Sequence, residues 1–548
     1  RELRLRQAAG QHGRTEVLLK NFPTEGTSGT VLREVTEMLD AYTATDQQIA
    51  DTRTLLDARL VALRDDELRD QFAPLVDEIK SGLTANTTDR LAAFRRLADD
   101  VDLGPESQLS LAVSGWILGV DGSTDDLRTV LSAVKLRGLV ADYLREKDPL
   151  RRDTLLTTIR SEEGMSPEAI ARLLAELPPP LPLPEQAKGY QGGYVLSVPT
   201  VANEAPVEYL LQLPPEYDPN RRYPTIVTLH GEMNGAAQQI DWWCGEVDEN
   251  GQRHGQAGRH GYVVIAPSWT KPAQTTYGFT SLEHAAVLNV LRDAMRRVSI
   301  DTDRVYLSGH SIGGDAAWDL AMAHPDLWAG VIPIVAVADK YCDHYWKNLR
   351  EQPPVYAVTG ELDGDKTSRN SMTYDRLLMT SHYNVTVVEF IGRGHESFSD
   401  DIQRIFEWMG LQRRNFFPLE FTCTAMRPWD NFFWWVEVDE FPETSVVFPE
   451  QWPPKRPRPV LVEAKRSTNN TIRVKSGTDA IRLYLTPEMV DFSRPVQVTV
   501  TGGRSPRRGT EVVPDVGVML EDARTRSDRQ HPYWAVLDFD KGRMARRP

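Results

Sequence analysis

The stretch VYLSGHSIGGDAAWDLAMAHP, residues 305–325, restricts the fold of this chain more than any other segment. A β-branched, apolar run ends at Gly309, an amphipathic helical run follows, and Ser311 stands alone between them. Ser308 and Gly309 lie before that serine and Gly313 and Gly314 after it, so the backbone there is expected to bend too tightly for larger side chains. A G-x-S-x-G motif at a strand-to-helix junction lifts the serine hydroxyl above the carboxyl edge of a sheet, where it becomes accessible.

The surroundings supply the sheet. Between about 190 and 412 short apolar runs alternate with amphipathic ones: VEYLLQL, TIVTLHG, YVVIAPS, VYLSG, GVIPIVA, PVYAVTG and VTVVEFIG, with helical segments near 281–298, 312–323, 366–382 and 398–411. That alternation predicts an α/β domain, a mostly parallel sheet with helices on both faces. Residues 1–177 carry apolar positions at three- and four-residue spacing, as in TRTLLDARLVAL and AIARLLAEL, and predict an all-α domain. In MSPEAIARLL, Ser166 is placed to cap a helix whose first turn holds Pro167. Residues 178–189, within ELPPPLPLPEQ and just beyond, form a proline-rich linker, since proline has no amide hydrogen to give a helix or sheet. Residues 413–548 lose the helical period and show NFFWWVEV, TIRVKS, AIRLYL, PVQVTV and YWAVLDF between turns, which predicts a small all-β sandwich. The aromatics at 429–435 fit either a ligand platform or, as alternating strand residues usually do, a core.

A serine hydroxyl needs a base to take its proton, and the base needs an acid to orient it. The order serine, acid, histidine expected for this topology is present. PVYAVTG runs into ELDGDK and offers Asp363, with Glu361 and Asp365 as neighbouring alternatives; VTVVEFIG runs into RGHES and offers His395. The Ile312 amide begins the helix and faces developing negative charge on a bound carbonyl, and a second donor is expected from LHGEMNG, the Glu232 amide first and Gly231 second. His230 and His310 are expected to pack or orient, and His284, His324, His344 and His382 to occupy surface or helix positions. Loops at the same edge place Trp242, Trp243, Trp269, Tyr341, Tyr345 and Trp346 as candidate substrate-binding residues.

On DTDRVYLSGHSIGGDAAWDLAMAHPDLWAGVIPI, GELDGDK and GRGHESF, residues 190–412 resemble α/β-hydrolase serine esterases near polyhydroxybutyrate depolymerases, feruloyl and acetylxylan esterases, and prolyl-oligopeptidase-like hydrolases. The resemblance implies Ser311 as nucleophile, Asp363 as acid and His395 as base, in agreement with their positions. With its flanks the chain is also similar to large predicted hydrolases of planctomycete-type bacteria, on LTPEMVDFSRPVQVTVTGG, although Thr501-Gly502-Gly503 stands where such tails often read Asn-Gly.

The reading is therefore a serine hydrolase of carboxylic esters, small-molecule or polymer-linked, with no metal or organic cofactor required. A peptidase using the same triad and a silent scaffold on the same fold are the alternatives; the helical front, in place of a gating β-propeller, favours esters. A net charge of −15 argues against nucleic acid or anionic lipid as the main partner, because both reward clustered Lys and Arg. No apolar run reaches the ~18 residues of a membrane span, and a protein partner or self-association is left to the helical and β regions. The three cysteines lack metal-ligand spacing and allow one bridge, with Cys244 and Cys342 the favoured pair because both follow core strands. A chain beginning at Arg1, together with the resemblance, gives an expectation of secretion or periplasmic residence.

Overall fold

The computed structural model describes residues 1–201, 204–232, 234–350, 352–501 and 509–545, so the turn at Gly502 and Gly503 lies outside the described residues. Its centre is an eight-stranded sheet of β1 (Gly193–Val198), β2 (Val207–Gln212), β3 (Tyr223–Leu229), β4 (Val263–Pro267), β5 (Ile300–His310), β6 (Gly330–Ile334), β7 (Val355–Gly360) and β8 (Val385–Phe390). The order is β1-β2-β4-β3-β5-β6-β7-β8; β2 runs antiparallel to β1 and β4, and the remaining pairs are parallel. This is the α/β-hydrolase arrangement. Seven of the strands coincide with runs read from the sequence. The additional one, β1, is an edge strand whose half-exposed residues carry a weaker apolar signal.

Burial on both faces explains the continuous apolar strands. Successive residues alternate between two cores: Val227, Ile265 and Leu307 face one side with the helices Ser281–Arg297 and Ile312–Ala323, while Ile226, Val264 and Tyr306 face the other with Ile240, Trp243 and Phe406. The same alternation separates the two cysteines. Cys342 belongs to the first core and Cys244 to the second, so the expected bridge does not form and both thiols are free and buried.

Before the sheet, helices including Gly29–Val61, Asp66–Gly82, Pro105–Leu118, Leu127–Arg145 and Pro167–Glu176 enclose a separate core around Leu56, Phe72, Val76, Leu109 and Leu173. Ser166 caps the last of these, its side chain accepting from the Ala169 amide at 3.1 Å, with Pro167 opening the helix. Ser166→Ala is expected to lower stability by ~1 kcal/mol, read as a reduced denaturation midpoint at unchanged slope. No helix of the described residues is long and apolar enough to cross a membrane.

After the sheet come β9 (Glu420–Ala425), β10 (Phe432–Phe433), β11 (Val436–Asp439), β12 (Val460–Ser467), β13 (Thr471–Ser476), β14 (Ala480–Leu485), β15 (Gln497–Val500), β16 (Ala535–Asp540) and β17 (Arg543–Met544). They form sheets ordered β10-β11-β14-β16-β17 and β15-β13-β12-β9, with a shared core that includes Phe433, Trp434 and Trp435. Phe433, Trp434 and Trp435 are core, whereas Trp429 and Phe432 are half-buried and line a cavity. The region is not all-β as expected from sequence: the helix Val516–Thr525 leaves it and inserts Val516, Met519, Leu520 and Ala523 into the helical core at the front of the chain. Ten residues give too short a helical period to stand out beside a turn-rich segment.

Candidate active site

Strand β5 ends at His310 and the next helix starts at Ile312, so Ser311 takes the whole reversal, with φ 55° and ψ −122°. Positive φ is a strained choice for a residue with a side chain and persists only when its surroundings fix it. They do so here by close approach. A Cβ on Gly309 would lie 2.0 Å from the Gly313 carbonyl oxygen, and one on Gly313 would lie 2.3 Å from that of Leu229. The Ser311 amide donates to the Ile334 carbonyl at 3.0 Å, and the Ser311 carbonyl accepts from Gly314 and Asp315. The first amides of a helix have no partner inside it, and the helix dipole adds positive potential at that end.

The carboxylate that meets His395 is Asp363. It is 6% exposed, follows β7, and its Oδ1 accepts from His395 Nδ1 at 2.8 Å. That bond leaves the lone pair on Nε2, the form a general base requires. Of the alternatives, Glu361 accepts from the Gly392 amide at 2.7 Å and Asp365 stands at the start of the helix Lys366–Met379. The His395 side chain is 46% exposed and thus open to substrate from solvent.

The loop that carries His395 is tied to the residue beside Ser311. The Ser397 carbonyl accepts from His310 Nε2 at 3.2 Å and from Trp242 Nε1 at 3.0 Å, which straps that loop to the residue beside the serine. Burial pulls His310 down to about 4, so near neutral pH it is uncharged and acts as an orienting donor. Among the described residues no hydrogen bond joins Ser311 Oγ to His395 Nε2 directly. Such contacts commonly close only with substrate present.

Gly231 abuts the turn: a Cβ there would be 3.0 Å from the His310 carbonyl oxygen and 3.1 Å from Ser311 Cβ. The loop after β3 therefore runs past the serine, with the exposed Glu232 next in line. Of the six aromatics expected to bind substrate, Trp242 alone is both partly exposed and tied to this loop cluster, its ring 5.0 Å from that of His310. Trp243 is fully buried, with its indole donating to Thr228 Oγ1. Trp269 is buried against His230, and its Nε1 has no partner among the described residues. Tyr341 and Tyr345 are buried because the C-terminal region covers them, their hydroxyls donating to the Val447 carbonyl and to Asp430 Oδ2. Trp346 packs at a tilt against Tyr383, just before β8 begins, and so lies at the amino edge of the sheet, opposite Ser311.

His344 is half-buried and His382 exposed, while His284 lies within the helix Ser281–Arg297 and His324 at the end of the helix Ile312–Ala323, both buried at 2% and 7% exposed. With Asp319, Arg427 and Asp430 they form an ionic cluster drawn from the two helices of the first core and from the segment before β10. No linear spacing announces it, because its members meet only through tertiary packing.

No family model matches the chain, and no curated protein matches it. Solved structures do. A thermostable esterase is 20% identical, with a TM-score of 0.34, over 41% of this chain and 64% of its own. The S-formylglutathione hydrolase of Agrobacterium tumefaciens is 17% identical, with a TM-score of 0.33, over 42% of this chain and 98% of its own. The acylaminoacyl peptidase of Pyrococcus horikoshii is 13% identical, with a TM-score of 0.32, over 41% of this chain and 43% of its own. The match thus spans less than two thirds of the esterase and less than half of the peptidase. At such distances neither ester nor amide chemistry passes from them to this chain, whose α/β-hydrolase fold rests on its own strand order.

Proposed function

We propose that this chain is a serine hydrolase that cleaves carboxylic esters through an acyl-enzyme intermediate. The observation that carries the proposal is the Asp363–His395 pair at 2.8 Å, presented at the sheet edge where Ser311 holds the strained turn between β5 and its helix. Ser311 Oγ attacks the ester carbonyl while His395 Nε2 takes its proton. The Ile312 amide, with that of Glu232 or Gly231, stabilises the oxyanion. His395 then protonates the leaving alcohol, and a water activated by the same imidazole releases the acid. Asp363 keeps the imidazole in the required tautomer throughout. No step calls for a metal or an organic cofactor.

The preference for esters over peptides follows the helical core packed ahead of the sheet, around Leu56, Phe72 and Leu109. Trp242, beside His310 and partly exposed, is the aromatic surface placed to receive an acyl or alcohol group. The test is twofold. A fluorophosphonate probe is expected to label the full chain at Ser311, and p-nitrophenyl acyl esters are expected to turn over with higher kcat/KM than aminoacyl or prolyl anilides. Absence of labelling on folded protein would return the chain to a scaffold role, and faster amide turnover would make it a peptidase.

A further inference from the structure

We propose that His284, His324 and Asp430 form a structural zinc site, separate from Ser311, that fastens the C-terminal region to the hydrolase sheet. His284 Nδ1 and His324 Nε2 are 3.1 Å apart, Asp430 Oδ1 is 3.8 Å from His284 Nδ1, and all three donor atoms fall within 4.8 Å of one another. Zinc bonds of ~2.0–2.2 Å in a tetrahedron place neighbouring donors roughly 3.3–3.6 Å apart. The two spacings of 3.1 and 3.8 Å lie on either side of that range, and side-chain adjustment would close the three donors around an ion.

Two independent features point to a cation. The first is an orphan. Asp430 is fully buried; its Oδ2 accepts from Tyr345 and Arg427 at 2.9 and 2.6 Å, yet its Oδ1, on the side of the imidazoles, has no hydrogen-bond partner among the described residues. A buried carboxylate oxygen without a donor is costly unless a cation meets it. The second is the support around the histidines. His284 Nε2 donates to Asp319 Oδ2 at 2.9 Å, which fixes the tautomer and leaves the Nδ1 lone pair either to accept from His324 Nε2, 3.1 Å away, or to ligate an ion. Metal-bound histidines typically have such a carboxylate behind them. Asp319 is itself held by Tyr277 and by both terminal nitrogens of Arg427.

Charge agrees with this reading. Asp319 and Asp430 share one guanidinium, that of Arg427, so neutral imidazoles would leave an unbalanced negative charge in a fully buried place. A proton on the imidazole pair is the competing way to fill the gap. Two imidazoles and a carboxylate suit zinc among divalent ions, and a cavity of about 800 Å³ is lined by both histidines. The ligands come from the helix Ser281–Arg297, from the end of the helix after Ser311, and from the segment before β10. An ion there joins two regions that are far apart along the chain.

The experiment uses the full chain, stripped with chelator, incubated with zinc or cobalt(II), and freed of excess metal. One zinc per chain by elemental analysis, a higher Tm with zinc than with chelator, and the visible absorption of tetrahedral cobalt are the expected results. Ser311→Ala should keep the metal, while His324→Gln and His284→Gln should lose it. Folded wild-type protein that retains no zinc, with a Tm indifferent to zinc and chelator, would overturn the proposal and leave a proton in the cluster. So would folded His284→Gln and His324→Gln variants with an undiminished metal content. If those variants do not fold, wild-type stoichiometry and the cobalt spectrum decide.

Discussion

Asp363→Asn is expected to lower kcat for ester hydrolysis by about 10⁴-fold with little change in KM, and Ser311→Ala to lower it at least as far and to abolish fluorophosphonate labelling. The reason lies in the direction of one hydrogen bond. Asp363 Oδ1 accepts from His395 Nδ1 at 2.8 Å. An asparagine amide turned the other way donates instead, so the imidazole proton moves to Nε2 and the lone pair that should receive the serine proton is lost. Stability should change little, because Asp363 Oδ2 has no hydrogen bond to lose among the described residues. Steady-state kinetics beside a thermal melt make the comparison, with Glu361→Gln as a control on the neighbouring carboxylate. A loss under about tenfold for Asp363→Asn would remove that residue from the mechanism.

The second large effect is expected on stability. Asp528, nearly buried, accepts from Arg414 Nη2 at 2.8 Å and from Thr302 Oγ1 at 2.9 Å, tying the loop after the helix Val516–Thr525 to β5 and to the segment that leaves the last helix of the hydrolase region. Asp528→Asn keeps the volume and leaves the buried Arg414 with Asp303 as its remaining carboxylate. A cost of about 3 kcal/mol is expected, the lower end of the range for breaking a buried pair, measured by urea denaturation. The pH dependence has a definite sign. Burial alone would raise the Asp528 pKa, but Arg414 above all, then His531 and Arg526, bring it well below the usual carboxylate range. The unfolded chain therefore takes up that proton first. The contribution is complete above the unfolded value near ~4 and is lost as pH falls from there through the lower native one, so the gap between wild type and Asp528→Asn narrows in acid. A gap that widened below that pH would refute the assignment.

Local pattern carried the hydrolase region. Strand runs such as TIVTL are continuous because both faces are covered, and the residues that follow β5, β7 and β8 bring Ser311, Asp363 and His395 to one edge of the sheet. What a linear window lacks is the cover supplied from elsewhere. Tyr341 and Tyr345 follow β6 at the correct edge and read as open loop residues, yet Val447 and Asp430 close over them. Trp346 shares their segment, but the chain has by then turned toward the opposite edge. His284 and His324 read as ordinary helix positions, because Arg427 and Asp430 lie more than a hundred residues later in the chain. Cys244 and Cys342 each follow a core strand, but the sheet itself stands between them.

The helix Val516–Thr525 has a consequence for biosynthesis. It supplies Met519 and Leu520 to a core most of whose other walls, among them Phe72, Val113 and Leu173, are translated first. As the nascent chain leaves the ribosome, that apolar surface stays uncovered while the entire hydrolase sheet and most of the C-terminal strands are still being made. Protection of the front region from protease during synthesis is therefore expected to arrive late and abruptly, when the residues following β15 emerge.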